Sequence, residues 1–200
     1  MRFIGITGGI GAGKTVILKY LSEHYHCRVM LADEIAHDIM EPGTACNKSL
    51  QKLFEDDGVF DAAGRIDRSR MAKVLFSDER KRKALNDIVH PGVKEYVLQQ
   101  AEEARQKNEL DFLVLEAALL IEEHYDAICD ELWYIYTSEE KRRMRLKEGR
   151  GYSDEKIDSI LRSQLSESVF RSYCTEEIDN NGTPEETYQQ LDEILSRKIK

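Results

Sequence analysis

The stretch "GGIGAGKT", Gly8 to Thr15, decides the reading of this chain. It follows the apolar run Phe3-Ile4-Gly5-Ile6 and precedes a segment with helical spacing of Val16, Leu18 and Leu21. Four glycines in eight residues are entropically costly unless bare backbone is needed. The pattern G-x-x-x-x-G-K-[ST] is met at Gly8, Gly13, Lys14 and Thr15, and its strand-then-helix context is that of a phosphate-binding loop. Successive N–H groups converge on phosphate oxygens, and the helix N-terminus adds its dipole. Lys14 supplies a cation for the β- and γ-phosphates, and the Thr15 hydroxyl a ligand for Mg²⁺. The predicted cradle comprises Gly9, Gly11, Ala12, Gly13, Lys14, Thr15 and Val16. A dinucleotide fingerprint fails, because Gly9 and Gly11 would need a third glycine at Lys14. The expected ligand is therefore a nucleoside triphosphate with magnesium.

Outward from the loop, short aliphatic runs at 2–7, 28–31, 111–116, 131–136 and 176–179 read as strands separated by helices. Continuous apolar strands alternating with helices predict a parallel sheet covered on both faces. Asp67 reads as a helix cap, as do Ser77, Ser138 and Ser153, and Pro91 and Pro184 as helix openers. The helical stretch 45–108 is too long for a simple crossover and predicts an insert. The expected organisation is one α/β domain, with a core over about 1–44, 109–137 and 174–200, the insert over about 45–108 and a lid over about 138–173.

The 200 residues carry a net charge of −9. That balance opposes general nucleic-acid binding, which needs a basic surface. No run is long enough to span a membrane, and the N-terminus lacks a secretory pattern. Four widely separated cysteines, without a C-x-x-C pair, fit a cytoplasmic protein whose cysteines act as small hydrophobes.

The other motifs separate kinds of triphosphate chemistry. "NKSL" (47–50) lacks the aspartate of a guanine-reading N-K-x-D, and "DAAG" (61–64) only imitates a switch. "DEIAH" (33–37) resembles a helicase box, in a chain too short for two motor domains. A small-molecule kinase needs a base near the acceptor, arginines at the phosphoryl group and a closing lid. Asp33, after the second strand, fits the base; its other reading is the N-cap of "EIAHDIM". Arg150, between Gly149 and Gly151, fits a lid arginine, and Arg145 is a second candidate. Arg142 and Arg143 read as a solvated basic face balanced by Glu139 and Glu140. Glu116, ending "DFLVLE", either supports Mg²⁺ through water or faces solvent. His90 reads as a structural hydrogen bonder, and Trp133, Tyr134 and Tyr136 as core.

The chain resembles the dephospho-CoA kinase family in "GITGGIGAGKT", "LADEIAHDIMEPG" (31–43), "LNDIVHPGV" (85–93), "ALLIEE" (118–123), "RLKEGRGYSDEKIDSILRSQ" (145–164) and "EIDNNG" (177–182). These occur in the family's order over nearly the whole chain. It departs at Ala118, where proline is common, at Cys174-Thr175 in place of Ala-Asp, and in the spacing from Arg145 to Arg150. The resemblance implies a P-loop NTPase three-layer fold with a mainly parallel sheet of about five strands, a helical substrate-binding insert and a lid. It implies ATP-dependent phosphorylation of the ribose 3′-hydroxyl of dephospho-CoA. It places Asp33 near that hydroxyl, Arg150 in the lid, Asn181 and its neighbours near the adenine, and Asp33, His90, Leu119 and Leu120 toward the CoA moiety. The implied partners are ATP, Mg²⁺ and dephospho-CoA, with no nucleic acid or membrane, for a monomer or weak homo-oligomer. A nucleoside monophosphate or sugar kinase is the same-class alternative, and a nucleotide-binding regulatory module the different-class one.

Overall fold

The computed structural model describes residues 1–198. Strands β1 (Arg2–Thr7), β2 (Cys27–Leu31), β3 (Phe112–Glu116), β4 (Glu131–Tyr136) and β5 (Glu176–Asp179) alternate with helices. The helices are α1 (Lys14–His24), α2 (Ala32–Ile39), α3 (Ala45–Leu53), α4 (Arg68–Ser77), α5 (Glu79–Lys107), α6 (Glu139–Arg150), α7 (Asp154–Ser163), α8 (Glu167–Tyr173) and α9 (Pro184–Ser196). The chain divides into two compact units, 1–30 with 104–200, and 31–103.

The first unit is organised by a five-stranded parallel sheet in the order β2-β3-β1-β4-β5. In β1 and β3, side chains of both parities are buried: Phe3, Ile4 and Ile6 in one, Phe112 through Leu115 in the other. Such strands have no solvent face, as a sheet covered on both sides requires. Ile6 pairs with Glu116 and with Trp133, and Tyr136 with Asp179. Parallel register therefore brings the C-terminal ends of these strands to one edge, where ligands of such sheets bind. The loop 8–13 leaves β1 at the middle of that edge.

Helix ends in this unit follow the local chemistry. Ser138 accepts from the Lys141 amide, Ser153 from Lys156, and Thr183 with Glu186 forms a reciprocal capping box ahead of Pro184. Trp133, Tyr134 and Ile135 are core. All four cysteines are free thiols. Burial pushes Cys129 and Cys174 each up to about 12 and Cys27 to about 11, so these three thiols stay protonated.

The second unit is helical. Leu50, Phe54, Val59, Met71, Val89 and Val97 form its interior. Asn47 is fully buried and donates to the carbonyls of Met40 and Gly64, so "NKSL" serves a structural bond. The "DAAG" segment is a tight turn: Asp61 Oδ1 accepts from the amides of Ala63 and Arg65. Two expectations about helix ends change. The cap before α5 is Asp78, which accepts from Arg80 and Lys81, whereas Ser77 donates to the Val74 carbonyl. The backbone bond from Lys81, ahead of its other neighbours, holds the half-buried Asp78 carboxyl below the usual range. Helix α5 also continues through Pro91 instead of opening there. Buried Val89, Val93 and Val97, spaced by four, keep one stripe in the interior across the proline. That packing offsets the missing amide. Among the described residues no helix is long and apolar enough to cross a membrane.

Candidate active site

The loop after β1 is shaped to present donors. Gly13 has φ 88°, and a Cβ there would lie 2.4 Å from Asn180 Nδ2; one on Gly9 would lie 1.6 Å from Arg142 Nη1. The left-handed backbone at Gly13 is one that only glycine adopts without strain, and a side chain at Gly9 would displace the Arg142 guanidinium. Helix α1 has no side-chain cap. The amides of Gly13, Lys14 and Thr15 meet no acceptor among the described residues, whereas the Val16 amide bonds the Gly13 carbonyl. Three successive unpaired N–H groups at a helix start form an anion site.

Lys14 Nζ donates to the Gly8 carbonyl at 2.7 Å and lies 3.4 Å from Glu116 Oε1. The two side chains are only 15% and 18% exposed. Of the two roles read for Glu116, facing solvent is the poorer description; it holds the lysine against the loop. The Thr15 side chain is exposed and its hydroxyl has no partner among the described residues. No cluster of three or more His, Cys, Asp or Glu side chains able to hold a metal exists among them. That donor set fits Mg²⁺, which takes one or two protein oxygens, substrate phosphates and water, better than a cation caged by protein.

Helix α6 lies on the loop. Arg145 Nη1 donates to the carbonyls of Gly11 (3.3 Å) and Ala12 (3.1 Å), and Nη2 to that of Asn180 (3.0 Å). Arg142 departs from the expected solvated face. Its guanidinium rests on Gly9, its Nε is buried without a partner, and its Nη1 reaches Gln164 Oε1 at 3.4 Å. Arg143 does pair with Glu139, at 2.8 Å, and with Asp158 at 2.5 Å. Arg150 is the last residue of α6, with Gly151 as its left-handed C-cap, so it is not in an open break between helices. It is exposed, 5.9 Å from the Tyr152 ring centre, and its hydrogen bond draws the phenol below its ordinary range.

The turn after β5 adds a second layer. Asn180, only 8% exposed, donates through Nδ2 to the Ala12 carbonyl at 2.7 Å. Thr137 Oγ1 donates to the same oxygen at 3.0 Å. Asn181 faces another way: its Oδ1 accepts from the Ser138 amide, its Nδ2 donates to Asp179, and its carbonyl accepts from Lys141 Nζ. Sequence reasoning passed over Asn180, Thr137 and Gln164 and read Arg142 as solvated, whereas it lies on Gly9. "IDNNG" pointed at the right turn but not at which asparagine bonds the loop.

Val16 is 48% exposed beside the cradle. Leu119 is 45% exposed, whereas Leu120 is fully buried, near where a Cβ on Gly5 would sit. Of the pair, only Leu119 offers its side chain to a ligand. In the second unit Asp33 occupies the first turn of α2, whose N-cap is Leu31. The N-cap reading of Asp33 therefore falls away: its carboxylate is exposed and has no partner among the described residues. His90 is half-buried within α5. The same unit holds a cleft of about 390 Å³ with Met40, Ile66, Met71 and Leu75 in its walls and Arg65 and Arg68 beside them.

Comparison with known proteins accords with this construction. The dephospho-CoA kinase family model matches residues 2–186. A curated relative from Shouchella clausii, named dephospho-CoA kinase, is 32% identical over 194 residues and covers 97% of each chain. One from Geobacter sulfurreducens with the same name is 32% identical over 201 residues and covers 100% of both. The solved dephospho-CoA kinase from Campylobacter jejuni superposes with a TM-score of 0.73, covering 98% of each chain at 20% identity, an agreement of fold. With its phosphate loop, its parallel sheet and a family match along almost its full length, the chain belongs to the dephospho-CoA kinase family.

Proposed function

We propose that this protein transfers the terminal phosphoryl group of ATP to the ribose 3′-hydroxyl of dephospho-CoA, giving coenzyme A and ADP. The observation that carries the reading is the family match over residues 2–186 on a chain with a complete phosphate cradle. The amides of Gly13, Lys14 and Thr15 bind the phosphates, and Lys14 moves from the Gly8 carbonyl onto the β- and γ-oxygens. Gly9, Gly11, Ala12 and Val16 complete the ATP site, with Asn181 near the adenine. Mg²⁺, held by Thr15 and the phosphates, neutralises charge on the triphosphate when bound.

Asp33 accepts the proton of the 3′-hydroxyl as that oxygen bonds to the γ-phosphorus and the bond to the ADP oxygen breaks. Its open carboxylate suits the role. Arg145 ties α6 to the loop, and Arg150 swings from the end of the same helix onto the transferred group. The unit 31–103, with His90 and the cleft beside Arg65 and Arg68, receives the CoA moiety; Leu119 and Leu120 keep the substrate-binding role that the family resemblance implies for them. The protein acts on small molecules as a monomer or weak homo-oligomer: its net charge of −9 opposes general nucleic-acid binding, its isolated free cysteines suit the cytoplasm, and no described helix is long and apolar enough to cross a membrane.

The test is incubation with ATP, Mg²⁺ and a panel of acceptors, with the position of the new phosphate read by ³¹P NMR. The reading requires a 3′-phosphate on dephospho-CoA with matching ADP. ADP formation with a nucleoside monophosphate or a sugar, and none with dephospho-CoA, would overturn it.

A further inference from the structure

The Ala12 carbonyl is gripped by three side chains. Asn180 Nδ2 donates at 2.7 Å, Thr137 Oγ1 at 3.0 Å and Arg145 Nη1 at 3.1 Å. They come from the ends of β5 and β4 and from α6. A carbonyl offers two lone pairs, so three donors are more than satisfaction of the oxygen requires. The peptide that begins with this carbonyl ends with the Gly13 amide. In a trans peptide the C=O and the following N–H point in opposite directions. Pinning the oxygen into the protein therefore turns the Gly13 N–H outward, and that N–H is the first of the three unpaired amides of the cradle.

Asn180 can donate to Ala12 only if its amide is turned the right way round, and a residue outside the loop sets this. Thr187 on α9 is 1% exposed, and its hydroxyl donates to Asn180 Oδ1 at 3.0 Å. Its alternative acceptor is the Thr183 carbonyl at 3.2 Å. With Oδ1 engaged by the hydroxyl, Nδ2 faces Ala12.

We infer that Thr187 and Asn180 are positioning residues for the phosphate loop: the Thr187 hydroxyl orients the Asn180 amide, which holds the Ala12–Gly13 peptide so that its N–H meets the triphosphate. Asn180 and Thr137 stand on strand ends and hold the carbonyl from the sheet. Arg145 supplies the one grip that belongs to the lid helix. The inference rests on the reading of Gly8–Thr15 as the ATP cradle and assigns the "IDNNG" turn a task on the phosphates.

The test compares affinities of the full-length chain for ATP with Mg²⁺ and for adenosine, by calorimetry. Thr187→Val keeps the shape and removes the donor; Asn180→Asp keeps the shape and turns an acceptor toward the Ala12 carbonyl. Loss of one buried hydrogen bond corresponds to roughly a tenfold weaker ATP affinity for Thr187→Val, and Asn180→Asp loses more. Adenosine affinity stays at the wild-type value in both, and Thr187→Ser restores ATP affinity while costing thermal stability through its lost methyl. Wild-type ATP affinity in Thr187→Val and Asn180→Asp would overturn the inference, as would equal losses for ATP and adenosine, which would make the turn a base reader. Should Thr187→Val not fold, Asn180→Asp and Thr187→Ser carry the same comparison. The readout is nucleotide affinity, so its failure is distinguishable from failure of the acceptor assignment, which is read by turnover of dephospho-CoA.

Discussion

The phosphate loop and the start of α2 both follow a parallel strand, and they are built by opposite means. Between β1 and α1 the chain makes a glycine loop whose carbonyls at Gly8, Gly9, Gly11, Ala12 and Gly13 all accept hydrogen bonds. Between β2 and α2 there is no loop: Leu31 ends the strand and Ala32 starts the helix. Asp33 one residue later is exposed and bonded to nothing among the described residues. A ligand of fixed charge is best met by dipoles aligned before it arrives, because reorganisation then costs nothing at the moment of binding. A group that must take up a proton works best without a partner competing for its lone pairs.

The greatest loss is expected on the open side of this contrast. Asp33→Asn should cut turnover about 10²–10⁴-fold, the usual worth of a positioned base, and leave ATP affinity unchanged. Stopped-flow turnover with a parallel binding titration separates the two; unchanged turnover would leave Asp33 as a favourable charge in the first turn of α2.

The prearranged side breaks at Gly13. Gly13→Ala sets a Cβ 2.4 Å from Asn180 Nδ2 in a backbone with φ 88°. Strain of about 1–3 kcal/mol corresponds to an ATP affinity roughly 5- to 150-fold weaker. An alanine variant that binds ATP as well as the wild type would show that the cradle tolerates displacement.

The mildest losses fall along α6. Arg145→Lys loses the fork that spans the Gly11, Ala12 and Asn180 carbonyls and should weaken ATP roughly tenfold. Arg150→Lys, at the solvent end of the same helix, should retain ATP affinity and lose about tenfold in turnover alone. Equal losses of ATP affinity would erase the distinction between an anchoring and a swinging arginine.

Local patterns announced much of this architecture. Strands β1, β4 and β5 end at the residues that their apolar runs predict, and Asp67, Ser138 and Ser153 cap the helices assigned to them. A cap or a buried strand is a matter of a few neighbouring residues. The misplacements have non-local causes. Pro91 reads as a helix start, yet a valine stripe continuing into the interior carries α5 past it. Arg142 and Arg143 are adjacent and alike in sequence, but α6 turns one onto Gly9 and the other toward Glu139 and Asp158. In "ALLIEE" the two leucines are equivalent on paper, and burial separates them to 45% and 0% exposure.

The sequence encodes a triphosphate cradle between a buried strand and a helix, because glycine spacing, Lys14 and Thr15 specify it within eight residues. It also placed an aspartate just past the second strand. What holds the cradle in shape emerges only when the chain is folded. The donors to the Ala12 carbonyl lie 125 to 168 residues away in the chain, and Thr187 acts through one of them. Such a grip has no local signature: it exists because parallel pairing brings the ends of β1, β4 and β5 to one edge.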